Sequence, residues 1–258
     1  MSIVGYDEFL FDHSGIQHVV YRKGEGPGVI LMHELPGMVK ECIELAGRLV
    51  DEVYCVYMPL FFGKPYEKAT YKNLLKVCIS REFRVFAKGE TSPIVEWLKE
   101  LGRHVLKERG GPGVGVIGMC LTGNFAISLM ATKEILAPVS CQPSLPFAIG
   151  SSRKKDLALS QDELSEIKKQ ASEGKKLLGF RFTGDIACPH ERFARLKNEI
   201  GDSFEGIEID SSEGNEFGIR KRAHSVLTLD FADREGHPTK KALERVLSFF
   251  DEKLKNID

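Results

Sequence analysis

Val114-Gly115-Val116-Ile117-Gly118-Met119-Cys120-Leu121-Thr122-Gly123 is the stretch whose reading decides the fold. An apolar run enters it, and Phe125, Ala126, Ile127, Leu129 and Met130 leave it as a helix-like one. A nucleophilic side chain between small residues at a strand-to-helix junction reads as a nucleophile elbow. Such a turn lifts the side chain above the sheet edge. The following helix then aims its free backbone N–H groups at a developing oxyanion. With cysteine as nucleophile, the chemistry implied is acyl transfer through a thioester.

Apolar runs on either side of the elbow build the frame. Gly28 to Glu34 reads as a buried strand after the turn Gly24-Glu25-Gly26-Pro27, because continuous apolar character suits a strand covered on both faces. Val39 to Val50 repeats apolar positions at helical spacing, and Val53 to Met58 is a strand ended by Pro59. Pro93 opens a helix with Ser92 as candidate N-cap. Downstream, Leu145 to Ile149 and Leu177 to Phe182 are expected strands, with a short final one at Gly206 to Ile209. Helices are expected within the charged stretch 152–176, over Arg192 to Ile200, and from Pro238 to Leu254. That charged stretch reads as a solvated face. Strands alternating with helices predict an α/β fold, a mostly parallel sheet with helices on both faces. No internal repeat or low-complexity linker interrupts the 258 residues, so one domain is expected.

Composition narrows the function. A net charge of −1 does not steer the chain toward nucleic acid or an anionic membrane. The first residues carry no basic, then apolar, leader pattern, so a secretory signal is not expected. No apolar run approaches the roughly 18 residues that span a bilayer. Six scattered cysteines (42, 55, 78, 120, 141 and 188) include no CxxC pair, which argues against a disulfide framework or a structural zinc site. A reducing cytoplasm fits, and would keep Cys120 reduced. Cys42, Cys55, Cys78 and Cys141 read as small buried hydrophobes. Cys188 stays open, for it stands close to a candidate acid.

A cysteine nucleophile needs a base, and the base needs a group that holds its tautomer. In α/β-hydrolases the chain order is nucleophile, acid, histidine. Strand 177–182 runs into Thr183-Gly184-Asp185-Ile186-Ala187-Cys188-Pro189. An acid just past a strand end sits where parallel sheets collect functional groups. Asp185 is thus the candidate acid, its plainer reading being a turn residue or helix cap. Three histidines follow. His190 opens a helix beside Asp185 and reads as a surface residue, and His237 reads as a cap before the last helix. His224 lies after the last strand on a loop containing Gly214 and Gly218, which lets it reach over the sheet edge. His224 is the preferred base.

Together, the strand ending in His33-Glu34, the Gly118-x-Cys120-Leu121 elbow, the Gly184-Asp185 loop and the Ala223-His224-Ser225 loop resemble the dienelactone hydrolase family of the α/β-hydrolase superfamily. The likeness runs from about Gly28 to the final helix. It implies a hydrolase of small esters or lactones with a Cys120–His224–Asp185 triad and no metal or organic cofactor. It further implies that Glu34 helps draw off the thiol proton, and that the N–H groups of Leu121 and Leu35 form the oxyanion hole. Two departures stand out. Thr122 occupies a position that is usually glycine, and no arginine follows His224 within Ser225 to Asp230. In dienelactone hydrolase proper, arginines hold the substrate carboxylate; Arg81 or Arg84 could supply one such contact, or be surface residues. A neutral ester or lactone is therefore as open as an acidic one. The aromatic-rich stretch 60–92 reads as an apolar wall over the site or as ordinary packing.

Two rival readings have their own tests. Gly113-Val114-Gly115-Val116-Ile117-Gly118 matches G-x-G-x-x-G by letter, but its glycines lie before and within the strand, where a dinucleotide fingerprint needs them after it. A non-catalytic α/β-hydrolase-like binding or regulatory protein is the alternative to an enzyme, and the reactivity of Cys120 discriminates the two.

Overall fold

In the computed structural model, residues 2–35, 37–67, 92–145 and 154–255 are described. Eight strands form one sheet: β1 (Asp7–His13), β2 (Ile16–Lys23), β3 (Gly28–Met32), β4 (Cys55–Pro59), β5 (Val114–Met119), β6 (Ile135–Cys141), β7 (Leu177–Phe182) and β8 (Phe204–Ile209). Their order across the sheet is β1-β2-β4-β3-β5-β6-β7-β8. β1 and β2 pair antiparallel with each other, as β2 does with β4; every other pairing is parallel. Among the described residues six α-helices accompany them: α1 (Lys40–Asp51), α2 (Pro93–Arg109), α3 (Leu121–Leu129), α4 (Gln161–Ser172), α5 (His190–Ile200) and α6 (Pro238–Phe250). This is the expected α/β architecture.

Strand alternation divides the core between the two faces. Val29 and Leu31 of β3 point into a cluster with Leu45 and Leu49 of α1 and Val246 and Phe250 of α6. Ile30 and Met32 point the other way, toward Trp97 and Leu101 of α2 and Phe125 and Leu129 of α3. A third cluster seats Phe193 and Leu196 of α5 against Ile127 of α3 and Met130 just after it. Both faces of the central strands are therefore buried, as their unbroken apolar runs require. Among the described residues no helix is long and apolar enough to cross a membrane.

Two strands escape a search for buried apolar runs. β1 and β2 form a hairpin whose two-residue turn, Ser14-Gly15, has positive φ at both positions (54° and 79°), the geometry that matches strand twist. β1 lies on the sheet edge with its residues exposed or partly buried, so it carries no continuous apolar run. After the elbow, the strand paired with β5 is Ile135–Cys141. Pro138 lies in its middle, and a proline argues against a central strand because it donates no ladder hydrogen bond. The expected strand Leu145 to Ile149 falls, from residue 146 onward, outside the described residues. Helices begin and end within a few residues of expectation. α4 carries a complete capping box between Ser160 and Glu163.

Four strand ends converge at one edge. β3 ends before Glu34, β5 before Cys120, β7 before Asp185, and β8 opens the loop that carries His224. All four are carboxyl ends of parallel strands, where such sheets bind ligands.

Candidate active site

Backbone strain marks the candidate nucleophile. Cys120 has φ 56° and ψ −121°, a region that side chains rarely occupy and that persists only where the surroundings enforce it. Here they do. Its N–H donates to the carbonyl of Cys141 (3.1 Å), and its carbonyl accepts from the N–H groups of Gly123 (3.1 Å) and Ser144 (3.0 Å). A Cβ at Gly118 would stand 2.1 Å from the Thr122 carbonyl oxygen. Only glycine allows α3 to start this close to β5. Gly123 is nearly as confined, with the Cys141 carbonyl and Pro143 about 3 Å from where its Cβ would be.

Thr122 fits this turn by a different device from glycine. Buried, its hydroxyl accepts from the Met119 N–H (2.8 Å) and donates toward the carbonyls of Met119 (2.9 Å) and Met32 (3.3 Å). The β-branched residue thus fastens the elbow to β5 and β3. Leu121, the first residue of α3, has no intrahelical acceptor for its N–H, as in any first turn. That N–H follows directly on the cysteine.

The structure brings Asp185 and His224 together beside this turn. Asp185 is buried, and its Oδ2 accepts from His224 Nδ1 at 2.7 Å. Its Oδ1 accepts from the N–H groups of Ala187 (2.9 Å) and Cys188 (3.3 Å), which fixes the carboxylate. With Nδ1–H given to the acid, Nε2 is the nitrogen left for the thiol. Burial pushes the His224 imidazole down, but hydrogen bonds to Asp185 and Cys120 outweigh it and hold the ring well above its usual value. Gly184 permits the close approach of the two loops, for a Cβ there would lie 2.1 Å from the Lys221 carbonyl oxygen.

Glu34 sits in a buried knot of hydroxyls. Its Oε2 accepts from Ser225 Oγ (2.8 Å) and its Oε1 from Thr228 Oγ1. Burial is the largest influence and holds its carboxyl above the usual value, against the charge of His224 and these hydrogen bonds. Its carboxylate therefore links the end of β3 to the loop of His224. Thr228 lies four residues past His224, in the stretch Ser225 to Asp230 that holds no arginine. Leu35 follows Glu34 and is half-buried. Arg81 and Arg84 lie outside the described residues, as do the aromatics Tyr71, Phe83 and Phe86.

The other histidines take structural places. His237 caps α6, its side chain accepting from the Thr239 N–H. His190 is exposed and pairs with Glu208 (2.9 Å). Cys188 is buried and its thiol is pushed up to about 12 by that burial. Among the described residues, no group of three or more His, Cys, Asp or Glu is placed to hold a metal ion.

Three supporting residues went unread in the sequence. Asp230 accepts the backbone N–H groups of His224 (2.9 Å) and Ser225 (3.0 Å) on Oδ2 and pairs bidentately with Arg220. His33 is fully buried, and desolvation pushes its imidazole down to about 4, so it is neutral. Its Nε2 accepts from the Phe61 N–H (3.1 Å), leaving Nδ1–H for the Glu34 carbonyl (3.1 Å). Arg192 is a fully buried guanidinium bonded to loop carbonyls. Arg192 gives no sequence signal because its Pro143 partner lies 49 positions away; Asp230 and His33 have partners nearby in the chain, but nothing local says which polar groups pair.

A strained elbow on β5, with an acid past β7 and a histidine past β8, defines the α/β-hydrolase class. The sequence pattern of the dienelactone hydrolase family matches residues 16–254. The chain belongs to the dienelactone hydrolase family and is a carboxylic ester hydrolase. No curated protein matches it by sequence. Among solved structures, it is similar to a putative dienelactone hydrolase from Klebsiella pneumoniae at TM-score 0.64 and 18% identity, covering 96% of this chain and 98% of that one. A dienelactone hydrolase-like promiscuous phosphotriesterase from metagenomic libraries gives TM-score 0.65 and 13% identity, with 96% and 98% covered. An esterase from Pyrococcus furiosus gives TM-score 0.63 and 16% identity, with 96% and 92% covered. At these identities the likeness speaks to the fold.

Proposed function

We propose that the chain hydrolyses small esters or lactones through a Cys120–His224–Asp185 triad and a thioester intermediate. The observation that carries this reading is the strained Cys120 backbone beside an imidazole already bonded to a buried carboxylate. His224 takes the thiol proton, and the thiolate attacks the carbonyl carbon. The resulting tetrahedral oxyanion is held by the N–H groups of Leu121 and Leu35. Collapse expels the alcohol, which leaves with the proton from His224, and water then cleaves the thioester with His224 as base. The Asp185 carboxylate keeps the ring in the Nδ1–H tautomer throughout. Glu34, whose two carboxylate oxygens each take one hydroxyl from Ser225 and Thr228, keeps a further lone pair on each oxygen with which to help draw off the thiol proton.

The substrate class follows from the same surroundings. Thr228 and Ser225 supply hydroxyls around Glu34 where a cation would favour a carboxylate, and Ile186, beside the acid, is exposed. A neutral acyl group suits this half of the site. The chemistry uses only side chains and water. Its thiol needs a reducing compartment, for which the cytoplasm is the natural choice.

Hydrolysis of p-nitrophenyl acetate, a neutral lactone and a dienelactone by the protein and by Cys120→Ala tests the reading. The expected result is turnover that falls about 10³-fold with the cysteine, and a neutral substrate ahead of the acidic one. Full turnover by Cys120→Ala would remove the cysteine from the mechanism.

A further inference from the structure

His33 is a fully buried ring that the proposed chemistry does not use. It directly follows β3 and packs against the rings of Phe61 (centroids 5.4 Å apart) and Phe62 (4.6 Å). Burying an imidazole is costly unless its hydrogen bonds are made, and both of its nitrogens are engaged. Nε2 accepts the Phe61 N–H (3.1 Å), which leaves the ring proton on Nδ1, and Nδ1–H donates to the Glu34 carbonyl (3.1 Å). The same carbonyl accepts from the Gly37 N–H (2.8 Å). Two donors therefore hold one peptide oxygen.

The other end of that peptide faces the chemistry. A trans peptide is planar, with its C=O and N–H directed opposite ways. Fixing the Glu34 carbonyl thus fixes the direction of the Leu35 N–H. Among the described residues no acceptor takes this N–H, and a backbone donor left unpaired in a half-buried place is uncommon. An oxyanion donor has to stand free and already aimed, because its value lies in needing no reorganisation as charge develops. Turning this peptide away would break both bonds to the Glu34 carbonyl.

We propose that His33 is a positioning residue of the oxyanion hole, whose Nδ1–H holds the Glu34–Leu35 peptide so that the Leu35 N–H stays turned toward the acyl oxygen. The inference rests on the triad reading above, with Leu35 as an oxyanion donor. It deepens that reading by naming the side chain that keeps the donor aimed without touching substrate.

Two reactions of one thiol isolate this role. Attack on p-nitrophenyl acetate develops an oxyanion, and kcat/KM reports that acylation step. Displacement of iodide from iodoacetamide by Cys120, located by peptide mass spectrometry, develops none. Two variants divide the functions of the ring. His33→Asn carries its amide at the distance of Nδ1 and can still donate to Glu34, whereas His33→Gln carries its amide at the distance of Nε2, within reach of the Phe61 N–H alone. In His33→Gln, kcat/KM should fall roughly 10- to 100-fold while the alkylation rate stays within about threefold of wild type. His33→Asn should keep both rates within about threefold. A His33→Gln with unchanged acylation, or with both reactions slowed alike, would overturn the inference. Should that variant not fold, His33→Asn decides: acylation kept supports the inference, and acylation lost overturns it. If Cys120 of the wild type alkylates but no ester is turned over, the triad reading falls first, so the two failures are distinct.

Discussion

The elbow and the acid and base loops reach the same sheet edge by opposite means. Residues 118–123 are positioned by the chain itself: a β-strand, a forced φ, a glycine with no room for a Cβ, and a helix start. Residues 183–189 and 220–230 are positioned by side-chain hydrogen bonds, some made within the loops and some reaching in from the end of β3 and from α5. Asp230 holds the His224 backbone, Glu34 holds Ser225 and Thr228, and Arg192 holds Ala187. The difference teaches where each kind of substitution acts. Changes in the elbow strike the fold, whereas changes around the loops strike the alignment of the base.

Gly118→Ala tests the first half most severely. Its new Cβ would meet backbone, the Thr122 carbonyl oxygen at 2.1 Å, so α3 or β5 must shift. A loss of about 3 kcal/mol or more in unfolding free energy is expected, measured by denaturant titration. A variant within 1 kcal/mol of wild type (~) would mean that the elbow is looser than its geometry implies.

Asp230→Ala tests the second half. It strips both N–H acceptors from the start of the histidine loop and leaves Arg220 without its partner. We expect kcat/KM on a p-nitrophenyl ester to fall roughly 10- to 100-fold, with the melting temperature changed only modestly. Equal loss of stability and activity would contradict the division between the regions.

A smaller effect concerns pH. His224 is held above its ordinary value of 6.5 in the folded chain, so the folded state binds the proton more tightly than the unfolded one. The associated stability is complete below that ordinary value and is lost as pH rises through the raised one. Asp185→Asn removes the main cause of the raising. The melting-temperature gap between wild type and Asp185→Asn should therefore be widest in mildly acidic solution and narrow toward alkaline pH. A gap that widened with pH would reverse the assignment of charge in this pair.

The comparison also explains what was legible in the sequence. Cys120 was readable because strand, turn and helix are contiguous. Asp185 and His224 were readable as candidates because they follow apolar runs in the order the reaction class requires, though the runs alone left rival roles open. Arg192 is silent because its partners Pro143 and Asp156 are chosen by tertiary packing, while Asp230 and His33 are visible as residues but not in their supporting roles. Thr122 looked like an obstacle, since nothing local says that its hydroxyl would cap the strand it follows. In the frame, β6 was hidden by Pro138 and β1 by exposure, while the fully buried strands announced themselves.

The central claim is that Cys120 carries the acyl group. Mixing the protein with p-nitrophenyl acetate, quenching with acid and mapping peptides by mass spectrometry tests it directly. One acetyl group on the peptide containing Cys120, labile to hydroxylamine and absent from the same peptide of Cys120→Ala, is the predicted result. Turnover with no acyl group on that peptide, or with the group on another residue, would contradict the account.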